Sequence, residues 1–344
     1  MAGKRQHFIP RFLQEGFASH TTEAAAFTWV YRKGSRPFNA NIINVGVEGR
    51  FYTEEGDTQV DDLITDAEEL FSALVHTLRT STAAPTSDPD IPRLIAHLEV
   101  RTRHLRESFL RTGDSLVSKL LDFIADEQAF IAYLERQFRK DPSILRDSMA
   151  KELARQGLPQ VLLQRFEQLA DPILPALMAQ VKAMLPKFAE ALRVTLPKTL
   201  KNAAKSGHIR ALKKTIAPEL KVERYENLAY SVVEAADGSL LLGDSAILFR
   251  VRGSRSYKSF LSMDDVVCCV ILPLSSRRAL VGARERVDVL PPDLPRAIAR
   301  CSLEYFIAAE RSEVKSVLRD EIGEDAGLLT RGEIEEIVGQ LMKE

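Results

Sequence analysis

Residues 26–32, AFTWVYR, place Phe27, Trp29 and Tyr31 on one side of an extended chain and Thr28 and Val30 on the other. That period of two reads as a strand, bounded by Gly34 and Pro37. From Val60 the period changes, because Val60, Leu63, Ala67, Leu70, Phe71, Leu74 and Leu78 recur at three- and four-residue steps, the mark of an amphipathic helix. A second helix is predicted over 91–111, with Asp90 as its N-cap and Pro92 in its first turn. Helical character continues over 115–214, broken by Pro142, Pro159, Pro172 and Pro175. Leu-Pro recurs at 174–175, 185–186 and 196–197, a spacing of eleven residues or three helical turns, which predicts helix starts or kinks on a common side.

Beyond residue 217 the extended pattern returns. Residues 228–233, an Asp237-Gly238 turn and residues 240–242 read as a hairpin, with further strands over 247–251, 266–272 and 279–281. Helices near 294–310 and 331–342 close the chain. Strands at both ends around a helical middle predict an α+β fold, mainly helical, with an antiparallel sheet formed by N-terminal and C-terminal strands. The expected organisation is a core of 1–114 and 221–344 interrupted by a long basic helical insertion over 115–220.

The 344 residues are 45% hydrophobic and 28% charged, which excludes collagen-like, mucin-like and low-complexity chains. Forty-seven Lys and Arg against 48 Asp and Glu leave a net charge of −1, so any electrostatic function must come from local asymmetry. Three cysteines, two of them adjacent at 268 and 269, give no disulfide framework and no Cys/His zinc spacing. The basic N-terminus lacks the apolar run of a signal peptide and no stretch is apolar enough to span a bilayer, so the chain reads as cytoplasmic, with no membrane partner.

Arg101 falls in the centre of the apolar face made by Leu94, Leu98, Leu105 and Phe109, with His97 and His104 on the same side. A guanidinium there needs a carboxylate or an incoming anion. Asp61 and Glu68, seven residues apart on the edge of the first helix, are the candidate counterparts, and either could join a site for a divalent cation such as Mg or Mn. They belong to an acidic stretch, 48–69, with nine acids against Arg50. The opposite asymmetry lies at 182–214, where Lys182, Lys187, Arg193, Lys198, Lys201, Lys205, Arg210, Lys213 and Lys214 oppose Glu190 alone: nine bases less one acid is a local charge of +8. Such a stretch suits a nucleic-acid backbone, or an acidic protein or second copy of the chain. Asp244, in LLLGDSA, stands where an apolar strand ends. No GxSxG, HExxH, Walker or GxGxxG pattern occurs in usable context.

These segments resemble a widespread bacterial domain of unknown function that opens with His-x-x-Pro-x-x-x-Leu-x-x-Phe. The likeness rests on His7, Pro10, Phe12 and Phe17, on Trp29 and Tyr31, on Phe51-Tyr52, on Arg101-Thr102 with Arg106, on Gly243-Asp244 where the family has Ser-Asp-x-Pro, and on Pro273-Leu274-Ser275. Gln14, Glu15, Arg103 and Ala246 depart from its pattern. The resemblance implies no agreed activity; it nominates positions and a phage-defence or mobile-element setting. Two readings follow. In one, the protein is a phosphodiesterase or nuclease with His7 as general acid or base, Arg101 and Arg106 on the scissile phosphate, and Asp61, Glu68 or Asp244 orienting His7 or holding a cation. In the other it is a non-enzymatic binding or assembly protein, the same polar groups being structural.

Overall fold

A computed structural model describes residues 5–53, 57–82, 84–141, 143–159, 161–235, 240–253 and 256–343. The chain divides into two compact units: Met1–Arg111 with Ala203–Thr330, and Thr112–Asn202 with Arg331–Glu344. The C-terminal helix Arg331–Lys343 therefore groups with the helical unit and not with the C-terminal strands.

The first unit is α+β. Strand Ala26–Arg32 pairs antiparallel with Tyr305–Ala308, register Trp29 to Ala308 and Tyr31 to Phe306, so the two ends of the sequence meet in one sheet. Phe38–Asn41 and His20–Thr21 pair with Ala26–Arg32, and Leu242–Gly243 lies on the other side of Tyr305–Ala308. A six-stranded antiparallel sheet runs Tyr257–Lys258, Leu248–Arg252, Val266–Pro273, Arg278–Ala283, Ala229–Glu234, Pro85–Thr86. A short ribbon pairs Arg5–His7 with Val47–Gly49. Helices Gln59–Thr80 and Ile91–Arg101 bury Phe71, Leu74, Val75, Leu78, Leu94 and Leu98 in the same core as these strands.

Three expectations for the first unit fail. The hairpin does not form, since Ala229–Glu234 pairs with Arg278–Ala283 while Leu242–Gly243 enters the other sheet. Leu240, Leu241 and Leu242 are all buried, the pattern of a chain passing between two layers rather than of a half-exposed strand; the Asp237-Gly238 turn lies outside the described residues. The helix near 294–310 stops at Cys301, because Tyr305, Phe306, Ile307 and Ala308 are buried on both faces as a central strand. The helix over 91–111 is two helices, Ile91–Arg101 and Arg103–Ala125, divided at Thr102, whose ψ of 151° is extended.

In the second unit, Glu127–Lys140 and Ser143–Gln156 precede one long helix, Val161–Lys214, of which the part up to Asn202 belongs to this unit. The Leu-Pro steps neither start nor end it: Pro175, Pro186 and Pro197 are exposed, so each carbonyl that loses its amide partner can turn to water. Ile124, Leu185 and Ala189 form its small core, flanked by Phe130, Ile131, Val181 and Leu192. Among the described residues, no helix is long and apolar enough to cross a membrane.

Candidate functional site

Arg101 is 1% exposed and every face of its guanidinium is engaged. Nη2 meets Glu68 Oε1 at 2.7 Å and donates to the His7 carbonyl at 2.7 Å. Nη1 donates to His97 Nε2 at 3.2 Å, and Nε approaches the Tyr52 hydroxyl at 3.4 Å. That hydroxyl donates to the Arg101 carbonyl at 2.8 Å, closing the arrangement. Burial alone would push the guanidinium down, but Tyr52 and Glu68 outweigh it and hold Arg101 above its ordinary value. The carboxylate expected beside this arginine is therefore Glu68, from the helix that supplies both candidates. Asp61 lies two turns earlier and half-buried. Among the described residues, no group of three or more His, Cys, Asp and Glu side chains gathers as a metal-ligand set.

His7 reaches the same place through the ribbon Arg5–His7, and its own carbonyl is one of the ligands of Arg101. Its half-buried imidazole is lowered by burial, with Arg11 adding to the effect, and Nε2 has no hydrogen-bond partner among the described residues. Arg106, 6% exposed, has a different surrounding. Nη2 donates to the Phe51 carbonyl at 2.8 Å and approaches His208 Nδ1 at 3.3 Å, the guanidinium carbon lies 3.9 Å from the centre of the Phe51 ring, and Nε is unpartnered among the described residues. Burial lowers its pKa although Glu48 opposes the shift. Phe51-Tyr52 thus stands between the two arginines, which explains why an aromatic pair precedes the acidic helix.

The histidines act as neutral acceptors for these cations. His97 Nδ1 donates to the Ile216 carbonyl at 3.1 Å and His208 Nε2 to the Val100 carbonyl at 2.7 Å, leaving the other nitrogen of each ring to face an arginine. The helical spacing that predicts His104 beside Arg101 fails, because the break at Thr102 turns it elsewhere, with Nε2 2.9 Å from the Cys301 carbonyl and Ser259 Oγ beside the ring. Burial pushes His104 and His208 down to about 4. Each remains neutral when folded while its unfolded counterpart protonates from about pH 6.5 downward. Stability should therefore fall as the pH drops from about 6.5 to about 4, by roughly 3 kcal/mol for each histidine. Denaturant unfolding of wild type and His208→Gln at pH 7 and pH 4.5 checks this: the gap between the two proteins should narrow or reverse at the lower pH, and a constant gap would contradict it.

Asp244 is not part of this cluster. Oδ1 accepts from the Leu303 amide at 2.7 Å, and Oδ2 accepts from the amides of Glu304 and Tyr305 at 2.7 and 3.3 Å. It shapes the turn from helix Leu294–Cys301 into strand Tyr305–Ala308. Gly243 is required beside it, since a Cβ there would stand 2.5 Å from Ser302 Oγ. Ala246 has a φ of 63°, a conformation closed to the proline that the Ser-Asp-x-Pro pattern would put there. Arg103, another departure, binds Glu304 at 2.8 Å and Glu48 at 3.2 Å.

The sequence does not single out Tyr52's hydroxyl, His208 or Glu99. Glu99, 1% exposed, is held by Lys221 at 2.7 Å, the Tyr225 hydroxyl at 2.6 Å and the Leu261 amide at 3.0 Å. Its only signal is an acid flanked by Leu98 and Val100 in a largely apolar helix. Three cavities of about 560, 410 and 580 Å³ are lined by residues between 250 and 330, and His7, Arg101, Arg106 and Asp244 contribute to none of the three.

The basic positions divide between the units. In the helical unit, Lys187, Arg193, Lys198 and Lys201 are exposed; Arg193 faces Glu190 at 3.3 Å, and Lys182 faces Glu127 at 2.6 Å. Lys187, Lys198 and Lys201 have no carboxylate partner among the described residues. At about 100° per residue they fall within about 60° of one helix face. In the α+β unit, Arg210 and Lys214 are exposed, Lys205 is half-buried, and Lys213 is paired with Asp57.

A protein-family model described as "Protein of unknown function (DUF4238)" matches residues 5–293. No curated protein and no solved structure matches the chain.

Proposed function

The chain belongs to that family of unknown function, and from the commitments of its own side chains we propose that it is a non-enzymatic nucleic-acid-binding protein of a reducing compartment, the cytoplasm. The observation that carries this reading is a contrast. Arg101, Glu68, His97 and Asp244 are spent on one another and on the backbone, whereas Lys187, Lys198 and Lys201 stand exposed on one helix face with no acid beside them among the described residues. Ammonium groups so placed neutralise phosphates without reading bases. None of the three cysteines forms a disulfide, which is compatible with the compartment.

The test is the salt dependence of binding to a fluorescent DNA or RNA duplex. Replacing Lys187, Lys198 and Lys201 together by Gln should weaken binding and reduce the slope of log K against log salt by about 2 to 3. An unchanged slope would leave an acidic protein or a second copy as the partner to pursue. Neither nucleic acid should be cut in Mg²⁺, Mn²⁺ or EDTA.

One observation favours the phosphodiesterase reading as second choice: His7 Nε2 and Arg106 Nε are each buried without a partner among the described residues, so each keeps a bond that a phosphate oxygen would satisfy. In that case labelled RNA or DNA would be cleaved by wild type and spared by His7→Ala, with the melting temperature unchanged.

A further inference from the structure

Strand Val266–Pro273 carries a β-bulge. Val267 pairs with Val251 and Cys269 with Arg250, so Cys268 is an extra residue and both cysteines stand opposite Arg250. A regular strand would send adjacent side chains to opposite faces, but here Cys268 and Cys269 border the same cavity, of about 410 Å³. Its floor is sheet. Ile271 pairs with Val281 and Cys269 with Ala283, so these four side chains share one face, and Tyr257 joins through its pairing with Arg250. Its opposite wall is the segment 287–293, VDVLPPD, which is tied at both ends: Ser231 Oγ donates to the Val287 carbonyl at 2.9 Å, and the Tyr257 hydroxyl donates to Asp293 Oδ1 at 3.1 Å.

The polar content of this cavity is asymmetric. Arg250 is exposed at its border and has no carboxylate partner among the described residues. The lining's one carboxylate, Asp293, is engaged by Tyr257. Apart from that tyrosine hydroxyl, the side chains between them are apolar or thiol. A volume within the range of small-molecule pockets, about 300–1,000 Å³, with an apolar body and one unneutralised guanidinium at the edge, selects a ligand with a hydrocarbon portion and a single anionic end.

We propose that this cavity binds a small amphipathic carboxylate, its hydrocarbon chain against Ile271, Val281, Ala283 and Leu290 and its carboxylate on Arg250. The site is separate from the cluster around Arg101 and does not depend on the lysine face.

Cys268 supplies the readout. Burial pushes the Cys269 thiol up to about 11 although Arg250 pulls the other way, so it stays protonated at neutral pH, and exposed Cys268 is the thiol a reagent meets. Alkylation of the full-length protein by N-ethylmaleimide, followed by mass spectrometry of the Cys268 peptide, should slow about tenfold in saturating octanoate. Octylammonium and octanol should protect far less. Arg250→Gln should raise the octanoate concentration needed for half protection by about tenfold, the loss expected for one charge-assisted pair, with an unchanged melting temperature. Ala283→Leu, which occupies the apolar body, should abolish protection even with Arg250 in place. Equal protection by octylammonium or octanol, or no protection by octanoate, would overturn the assignment; an unfolded Arg250→Gln variant leaves the ligand series and Ala283→Leu to decide it.

Discussion

Arg101→Met should destabilise the protein by roughly 3–5 kcal/mol, measured by denaturant unfolding at pH 7, because it removes the hub of a buried polar arrangement while leaving the spokes in place. Glu68 loses its cation, His97 Nε2 and the His7 carbonyl lose a donor, and Tyr52 loses the group beside its ring. Glu68 is 34% exposed and can turn to water, so its share of the cost is the smaller one. The carbonyl and the imidazole nitrogen have no such escape. Glu68→Gln should cost less, since an amide oxygen still accepts from Nη2, and the Arg101→Met, Glu68→Met double variant should fall well short of the sum of the single losses. Had this arginine been kept for a phosphate, the pattern would reverse: Arg101→Met would fold with nearly full stability and phosphate would raise the melting temperature of wild type alone. A loss under about 1 kcal/mol would therefore remove the structural account.

That arrangement is partly legible in the sequence. An arginine at the centre of an apolar helix face, and two acids on the edge of the neighbouring helix, reduce the choice of counterion to Asp61 or Glu68, and Glu68 is the partner found. The periodicities of 60–78 and 26–32 give the element types directly but the buried faces only in part: Val60, Phe71, Leu74 and Leu78 are buried while Leu63 and Leu70 are exposed, and in the strand Thr28, Val30 and Tyr31 are buried while Phe27 and Trp29 are half-buried. Where both faces are buried the signal fails. Tyr305-Phe306-Ile307-Ala308 is the strand that joins the two ends of the chain, and its unbroken apolarity suits a helix as well. The break at Thr102 is hidden for another reason. Thr102 tolerates either conformation, and what selects the extended one is tertiary, since Thr102 itself is 2% exposed. Its consequence is large, as it separates the surroundings of His97 from those of His104. His208 lies in a stretch whose lysines dominate any reading of charge, and only the fold shows that it faces inward to Arg106. Asp244 is unusual in the sequence for a reason other than chemistry: strand-end aspartates are equally suited to gathering amides, and the amides it gathers lie some 60 residues further along.

The second large effect is expected at that aspartate. Asp244→Ala should cost roughly 3–5 kcal/mol, since two buried amides and one half-buried amide lose their acceptor at the turn that admits the central strand. Asp244→Asn separates geometry from charge. Burial pushes the Asp244 carboxyl up to about 6, against the pull of the Leu303, Glu304 and Tyr305 amides, from an ordinary value of 3.8. The folded protein therefore holds this proton more tightly than the unfolded chain does. Below about pH 4 both states are protonated and the contribution is fully present; as the pH rises toward 6 the unfolded chain ionises first and the contribution is lost, by about 3 kcal/mol in all. This runs opposite to the buried histidines, whose contribution is lost as the pH falls, so a wild-type profile alone would show only their difference. Asn does not titrate, and subtraction of the Asp244→Asn profile from that of wild type isolates the aspartate. The advantage of wild type over Asp244→Asn should shrink from pH 4 to pH 6.5. An advantage that grows over that interval would mean that the three amides govern the carboxylate more strongly than its burial does, and that Asp244 is held ionised throughout.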